Sequence, residues 1–290
     1  MGVGCAAATP KPAPKPSVAE ARAPVAAPPA PVERQPAPPA PAPDHDETVV
    51  RFSFETTARA AVPSSTFWVA AHFRMAPGYR ISWVNPGDSG RPTRVKFSVP
   101  EGFELSDTRF PAPTKFELPD GGKSYGYETE TAAFAQVRAL PDLDASRTYR
   151  FEVEASWLAC AERCFPEHTS AFVEFGVDPH AALVPFEPAL AKLQAALPQP
   201  LTELAGATYR WRRGGRLHVS AAKTEWLGFL PARPEDPKLV EIGVNAKKGE
   251  LKLRFEDGTP GSRVKGLAIA NGRDGVNYVT LDIPWPVQAH

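Results

Sequence analysis

The stretch that decides the fold runs Tyr149-Arg150-Phe151-Glu152-Val153-Glu154-Ala155-Ser156-Trp157-Leu158-Ala159-Cys160-Ala161-Glu162-Arg163-Cys164-Phe165-Pro166-Glu167. Tyr149, Phe151, Val153, Ala155 and Trp157 form one clean apolar face, with polar residues between them. Period-two alternation is the signature of a strand with one face in a core and the other in water. The strand that leaves the segment can return beside it as a hairpin. With Ala161-Glu162-Arg163 as its loop, Cys160 and Cys164 stand directly opposite each other. Opposed residues on antiparallel strands hold their Cβ atoms about 5 Å apart, against about 3.8 Å in a relaxed disulfide. A bridge there forms with slight strain, and strained, exposed disulfides are the labile or catalytic ones. A helical turn also brings i and i+4 together, but Pro166 ends a helix almost at once.

The same alternation extends outward. Val50, Phe52 and Phe54 form one face, and Phe67, Val69, Ala71 and Phe73 the next. Ile81 and Trp83 lead into Asn85-Pro86-Gly87-Asp88-Ser89-Gly90, a strand running into a loop. Val95, Phe97 and Val99 follow, and Phe172 to Val177 reads as a last apolar strand. Short strands separated by turn residues predict a β-sandwich of roughly 130 residues. Leu190, Leu193 and Leu197 then fall at helical spacing between flanking prolines, which predicts a short amphipathic connector. Alternation resumes at Leu217–Val219, Leu251–Phe255 and Tyr278–Ile283, which predicts a second, smaller β domain. The expected organisation is therefore a tether over 1–46, a first β domain over 47–178, a linker with a short helix over 179–204 and a second β domain over 205–290.

Composition removes several function classes. Lys+Arg and Asp+Glu number 33 each, so there is no basic footprint for nucleic acid. No apolar run approaches the ~18 residues of a membrane-spanning helix. Of the 34 prolines, 13 lie between Pro10 and Pro43 in an alanine-rich run that cannot bury a core and reads as a disordered tether. At ~3.1 Å per residue such a segment reaches about 120 Å when extended. The opening Met1-Gly2-Val3-Gly4-Cys5 resembles the end of a bacterial lipoprotein signal, without the usual leucine, basic region or apolar region. Cys5 is the candidate lipid attachment point, and the only expected link to a membrane. No P-loop, dinucleotide fingerprint or Ser-His-Asp spacing is present, and no cofactor is expected.

Three cysteines in 290 residues exclude a disulfide-stapled scaffold. Three readings of Cys160 and Cys164 stay open: a structural disulfide, a metal site completed by His168, and a redox-active pair. The structural reading suffers because so small a closed loop brings little chain-entropy gain. The metal reading lacks an evident fourth ligand, and the chain has only two methionines to offer Cu(I). Glu162 and Glu167 oppose thiolate formation and Arg163 favours it. Asp88, Tyr125, Tyr127 and Glu128 are candidates for lining the site. His72 and His218 read as ordinary strand histidines.

The order of several motifs resembles the N-terminal periplasmic domain of the thiol:disulfide interchange protein DsbD, most closely its ScsB-type relatives linked to copper tolerance. The matching stretches are Trp83–Gly90, Pro92-Thr93, Val99–Phe103, Phe110–Phe116, Tyr125–Glu128 and Trp157–Glu167, within about 67–177. The region 205–290 resembles the second all-β part of the ScsB-type proteins weakly. The resemblance implies an all-β chain: an immunoglobulin-like sandwich followed by a smaller β-sandwich. It implies that Cys160 and Cys164 are the redox pair, exchanging electrons with thioredoxin-fold periplasmic oxidoreductases and a membrane electron donor. The family shields its pair with an aromatic-bearing cap loop, for which Phe110 and Phe116 are the candidates here. Nothing within residues 1–290 resembles the family's membrane-embedded or thioredoxin-like domains. The expected function is thiol–disulfide exchange by an exported, lipid-anchored periplasmic protein. The alternatives are a non-catalytic binding or assembly module with a structural disulfide, and a periplasmic copper-handling protein.

Overall fold

The computed structural model describes residues 1–2, 48–233, 237–272 and 275–286. The Pro/Ala-rich tether and Cys5 lie outside the described residues. The first ten strands are β1 (Val50–Thr56), β2 (Thr66–Met75), β3 (Arg80–Gly87), β4 (Arg94–Ser98), β5 (Phe103–Leu105), β6 (Thr114–Glu117), β7 (Lys123–Glu128), β8 (Glu130–Ala139), β9 (Tyr149–Cys160) and β10 (Cys164–Phe175). They form two facing sheets. One is ordered β1-β2-β8-β5, and the other β10-β9-β3-β7-β6, with β4 also paired to β9.

The core between them is aromatic. Phe67, Phe73, Phe151 and Trp157 are buried, and Phe151 stands edge-on to Phe67 and Phe103. The apolar faces of Val50–Phe54, Phe67–Phe73, Ile81–Trp83, Val95–Val99 and Tyr149–Trp157 point inward here. The last apolar run differs: Val173, Phe175 and Val177 face the core, but Phe172 is exposed on the outer side of an edge strand, with Arg150 over its ring. The Tyr149 hydroxyl accepts the backbone N–H of Asp144 at 2.9 Å, pinning the loop that leads into β9. This is the corner device of immunoglobulin-like sandwiches, and the first ten strands form such a sandwich.

Strand β8 escaped the pattern reading. Its Thr131-Ala132-Ala133-Phe134-Ala135 run is buried throughout, so no alternation marks it. The cause is α1 (Pro188–Ala195), which does not hang free between domains. Leu190 and Phe186 pack on Ala70, Ala132 and Phe134, covering the outer face of β2 and β8. The connector thus belongs to a second small core.

The remaining strands are β11 (Gln199–Pro200), β12 (Thr208–Arg212), β13 (Arg216–Ser220), β14 (Glu225–Pro231), β15 (Lys238–Asn245), β16 (Glu250–Glu256), β17 (Arg263–Gly272) and β18 (Gly275–Pro284). They give sheets β11-β18-β17-β14 and β12-β13-β16-β15 around Trp226, Leu217, Leu251, Leu253 and Leu281. The two sandwiches touch. Asn85 Nδ2 donates to the Pro231 carbonyl at 2.6 Å, and Arg109 Nη2 donates to the Pro198 carbonyl at 2.6 Å. Leu230 and Leu267 join the first core. Among the described residues no helix is long and apolar enough to cross a membrane.

Candidate functional site

The hairpin β9–β10 keeps one unbroken register from Tyr149↔Phe175 to Cys160↔Cys164. Its tip is the three-residue turn Ala161-Glu162-Arg163, in which the Ala161 N–H donates to the Arg163 carbonyl at 2.9 Å. Cys160 and Cys164 are joined by a disulfide, with Cα atoms 4.1 Å apart. That separation is near the narrow spacing of an antiparallel pair, about 4.5 Å, in which the two residues do not hydrogen-bond each other. The turn and Cys164 are exposed, and Cys160 is half-buried. β10 is an edge strand, so the open side of Cys164 faces away from the sheet.

Parity sets the neighbours. Trp157 and Ala159 point into the core, so Cys160 points to the outer face of the sheet. On that face the register partner of Cys160 across to β3 is Arg80, whose next partner across, on β7, is Glu128. The Arg80 guanidinium carbon lies 5.0 Å from the ring centre of Phe116 on β6. A single row across the sheet thus carries Cys164, Cys160, Arg80 and Glu128, with Phe116 beneath the arginine. Arg80 was not among the residues the sequence singled out. The alternation of Ile81 and Trp83 sends Arg80 outward, but only the register shows that it faces a cysteine.

The other candidates disperse. Phe110 lines a cleft of about 1460 Å³ between the two sandwiches, a cleft that reaches neither cysteine. Phe116 is a paired residue of β6, opposite Ser124. Asp88 clamps β3 to β7: its carboxylate accepts the Lys123 N–H at 2.8 Å, and its own N–H donates to the Lys123 carbonyl at 2.8 Å. Asn85 Oδ1 accepts the Gly87 N–H at 2.9 Å, and Gly87 adopts φ 82°, which only glycine takes freely. The Asn85–Gly90 turn is therefore a structural clasp.

Tyr125 packs against the first core. Tyr127 is buried and donates to the Pro111 carbonyl at 2.7 Å. Burial pushes its phenol well above the usual tyrosine value, so it serves as a hydrogen-bond donor and not as a base. Glu167 faces Trp157 across the hairpin. Desolvation raises its carboxyl above the usual value, with the Trp157 indole acting weakly in the opposite sense. That indole N–H is buried without a well-aligned acceptor.

His168 pairs with Ser156, four positions along the strand from Cys164. At ~3.3 Å per residue it stands about 13 Å from the bridge, too far to share a metal with it. Among the described residues no three His, Cys, Asp or Glu side chains are grouped to hold a metal ion. His72 is buried between Glu55 and Glu130, and His218 pairs with Glu250 at 2.7 Å.

The family model described as thiol:disulfide interchange protein DsbD, N-terminal, matches residues 27–175. The chain belongs to this family. The DsbD N-terminal match includes the whole cysteine hairpin and ends with β10. Among solved structures, the N-terminal periplasmic domain of ScsB from Proteus mirabilis is similar over 84% of this chain and 97% of its own, at 14% identity and a TM-score of 0.51. A likeness of that extent needs both sandwiches, so the two-sandwich fold is common to both chains. The DsbD N-terminal domain of Neisseria meningitidis in the reduced form covers 43% of this chain and 85% of its own, at 18% identity and a TM-score of 0.29. No curated protein matches the chain.

Proposed function

We propose that this DsbD N-terminal-type chain is a periplasmic thiol–disulfide exchange protein in which Cys160 and Cys164 are the reacting pair. One observation carries the reading: the disulfide sits at the exposed tip of an edge hairpin, outside the cleft between the two sandwiches. A small substrate needs a pocket, whereas a sulfur atom of another protein needs an open approach along the S–S axis. The bridge also has little structural work to do. Closing so short a loop stabilises by about 2 kcal/mol at most, against ~4.7 for a 100-residue loop, and twelve-residue strands already hold the hairpin.

Exposure selects the attacked atom. The thiolate of a thioredoxin-fold dithiol attacks Sγ of Cys164, the more exposed of the two residues. The S–S electron pair leaves with Cys160 Sγ, and a mixed disulfide joins the partner to Cys164. The partner's second thiolate then attacks its own bonded sulfur and releases Cys164 as a thiolate. Two electrons pass to this protein, and the partner becomes a disulfide. The reverse sequence hands them on, with Cys164 attacking the partner's disulfide and Cys160 resolving the mixed disulfide. The contact of the Arg80 guanidinium with the Phe116 ring supports reading Phe116 as the aromatic that shields this face of the sheet. Export and lipidation at Cys5 complete the reading and predict incorporation of labelled palmitate that Cys5→Ser abolishes.

The test is trapping. Cys160→Ala leaves Cys164 without its resolving partner and accumulates a mixed disulfide with a thioredoxin-fold protein in the periplasm. Cys164→Ala traps far less. If neither variant traps a partner and the wild-type bridge resists reduced thioredoxin, the structural-disulfide reading replaces this one.

A further inference from the structure

We infer that Arg80 is the cation that stabilises the Cys160 thiolate, and so makes Cys160 the leaving group of the exchange and its resolving nucleophile in reverse. This rests on the exchange reading above and adds a residue to it. The juxtaposition comes from the sheet. Arg80 and Cys160 are register partners on adjacent antiparallel strands and share its outer face. Side chains so placed have Cβ atoms about 5 Å apart, within reach of a long guanidinium.

The surrounding charges leave that guanidinium available. Glu128 is its neighbour on the opposite side, exposed to water on β7. Glu162 and Arg163 lie in the exposed turn, where their opposite charges largely offset. The Arg80 guanidinium lies over the face of Phe116, its carbon 5.0 Å from the ring centre. A cation over an aromatic ring near the surface is held only weakly. While the bridge is closed, neither sulfur carries charge and the guanidinium stays on the ring. When the S–S bond breaks, the electron pair arrives on Cys160 Sγ. A full negative charge one strand away then competes for the same cation and wins, because charge–charge attraction exceeds charge–quadrupole attraction at comparable distance. A guanidinium beside a thiol lowers its proton affinity, and a more acidic thiol leaves faster. Cys164 lies one strand further from Arg80, at the edge, and gains less. The two sulfurs are thereby made unequal: one open to attack, the other stabilised as it leaves.

The experiment uses the full chain, reduced and then alkylated with iodoacetamide between pH 5 and 10, with each cysteine followed by mass spectrometry. In the wild type Cys160 is modified at lower pH than Cys164. Arg80→Gln lowers the Cys160 rate at pH 7 about tenfold and moves its midpoint up by about one unit, with a smaller change at Cys164. Arg80→Lys restores most of the effect, which a purely structural role does not explain. Should the glutamine variant fail to fold, Arg80→Met keeps the apolar stem on Phe116 and removes the charge. Superimposable Cys160 profiles in wild type and either neutral variant overturn the inference. Alkylation needs no partner, so a wild type that never exchanges with thioredoxin sinks the proposed function and leaves this result readable.

Discussion

The two longest hairpins of the molecule are built alike and end differently. β9–β10 runs twelve residues a side, and β17–β18 runs ten. Both bury their inward faces in aromatic and aliphatic cores. In β17–β18 both strands are flanked, by β14 and β11, so the hairpin lies inside its sheet. In β9–β10 one strand is central and the other is an edge. The first arrangement leaves neither strand at an edge of the sheet. The second carries a bonded pair of sulfurs to the periphery while its central strand stays locked in the core. On the proposed exchange reading, the difference between the two hairpins lies in where each sits in its sheet and which residues end it.

Removing the sulfurs tests this contrast most severely. Cys160→Ala or Cys164→Ala should abolish turnover of a thioredoxin-fold substrate outright while leaving the far-ultraviolet circular dichroism unchanged. A variant that keeps appreciable turnover places the chemistry elsewhere. In the second sandwich the expectation inverts. Trp226 is buried and its indole donates to the Gly249 carbonyl. Trp226→Ala should cost about 3–5 kcal/mol in urea unfolding, yet leave the alkylation profile of reduced Cys160 and Cys164 intact in the folded fraction. A changed profile would show that the sandwiches share more than contact.

The contact itself comes next. Asn85→Ala leaves the Pro231 carbonyl without its donor and removes the acceptor of the Gly87 N–H, a loss of roughly 1–3 kcal/mol. Differential scanning calorimetry should then resolve two transitions where the wild type shows one. One unchanged transition would make Leu230 and Leu267 the dominant coupling.

The smallest effect is one of pH. The Glu167 carboxyl is raised in the fold by desolvation, so the folded state favours the protonated form more than the unfolded state does. Its ionised form therefore lowers stability above the folded pKa. That penalty fades as pH falls toward the unfolded value near 4.5. Glu167→Gln should stabilise slightly at pH 7 and make no difference at pH 4, read from urea midpoints at the two values. Equal midpoints at pH 7 would mean that water reaches the carboxylate freely.

Much of this protein was legible from residue order. Period-two faces at Val50–Phe54, Phe67–Phe73 and Tyr149–Trp157 identify inward-facing strands, because alternation is a direct consequence of strand geometry and one-sided burial. The turn Ala161-Glu162-Arg163 sets Cys160 against Cys164 by counting alone. Local spacing determines these features because the interacting atoms are neighbours along the chain. Tertiary structure decided the rest. β8 carries no alternation because α1 buries its second face, and nothing near β8 in sequence announces that helix. Phe110 and Phe116 are six residues apart but serve different surfaces, one the cleft between sandwiches and the other the outer face of a sheet. Arg80 meets Cys160 across eighty positions of chain, through the register of β3 on β9, and register is set by the whole core and not by either strand.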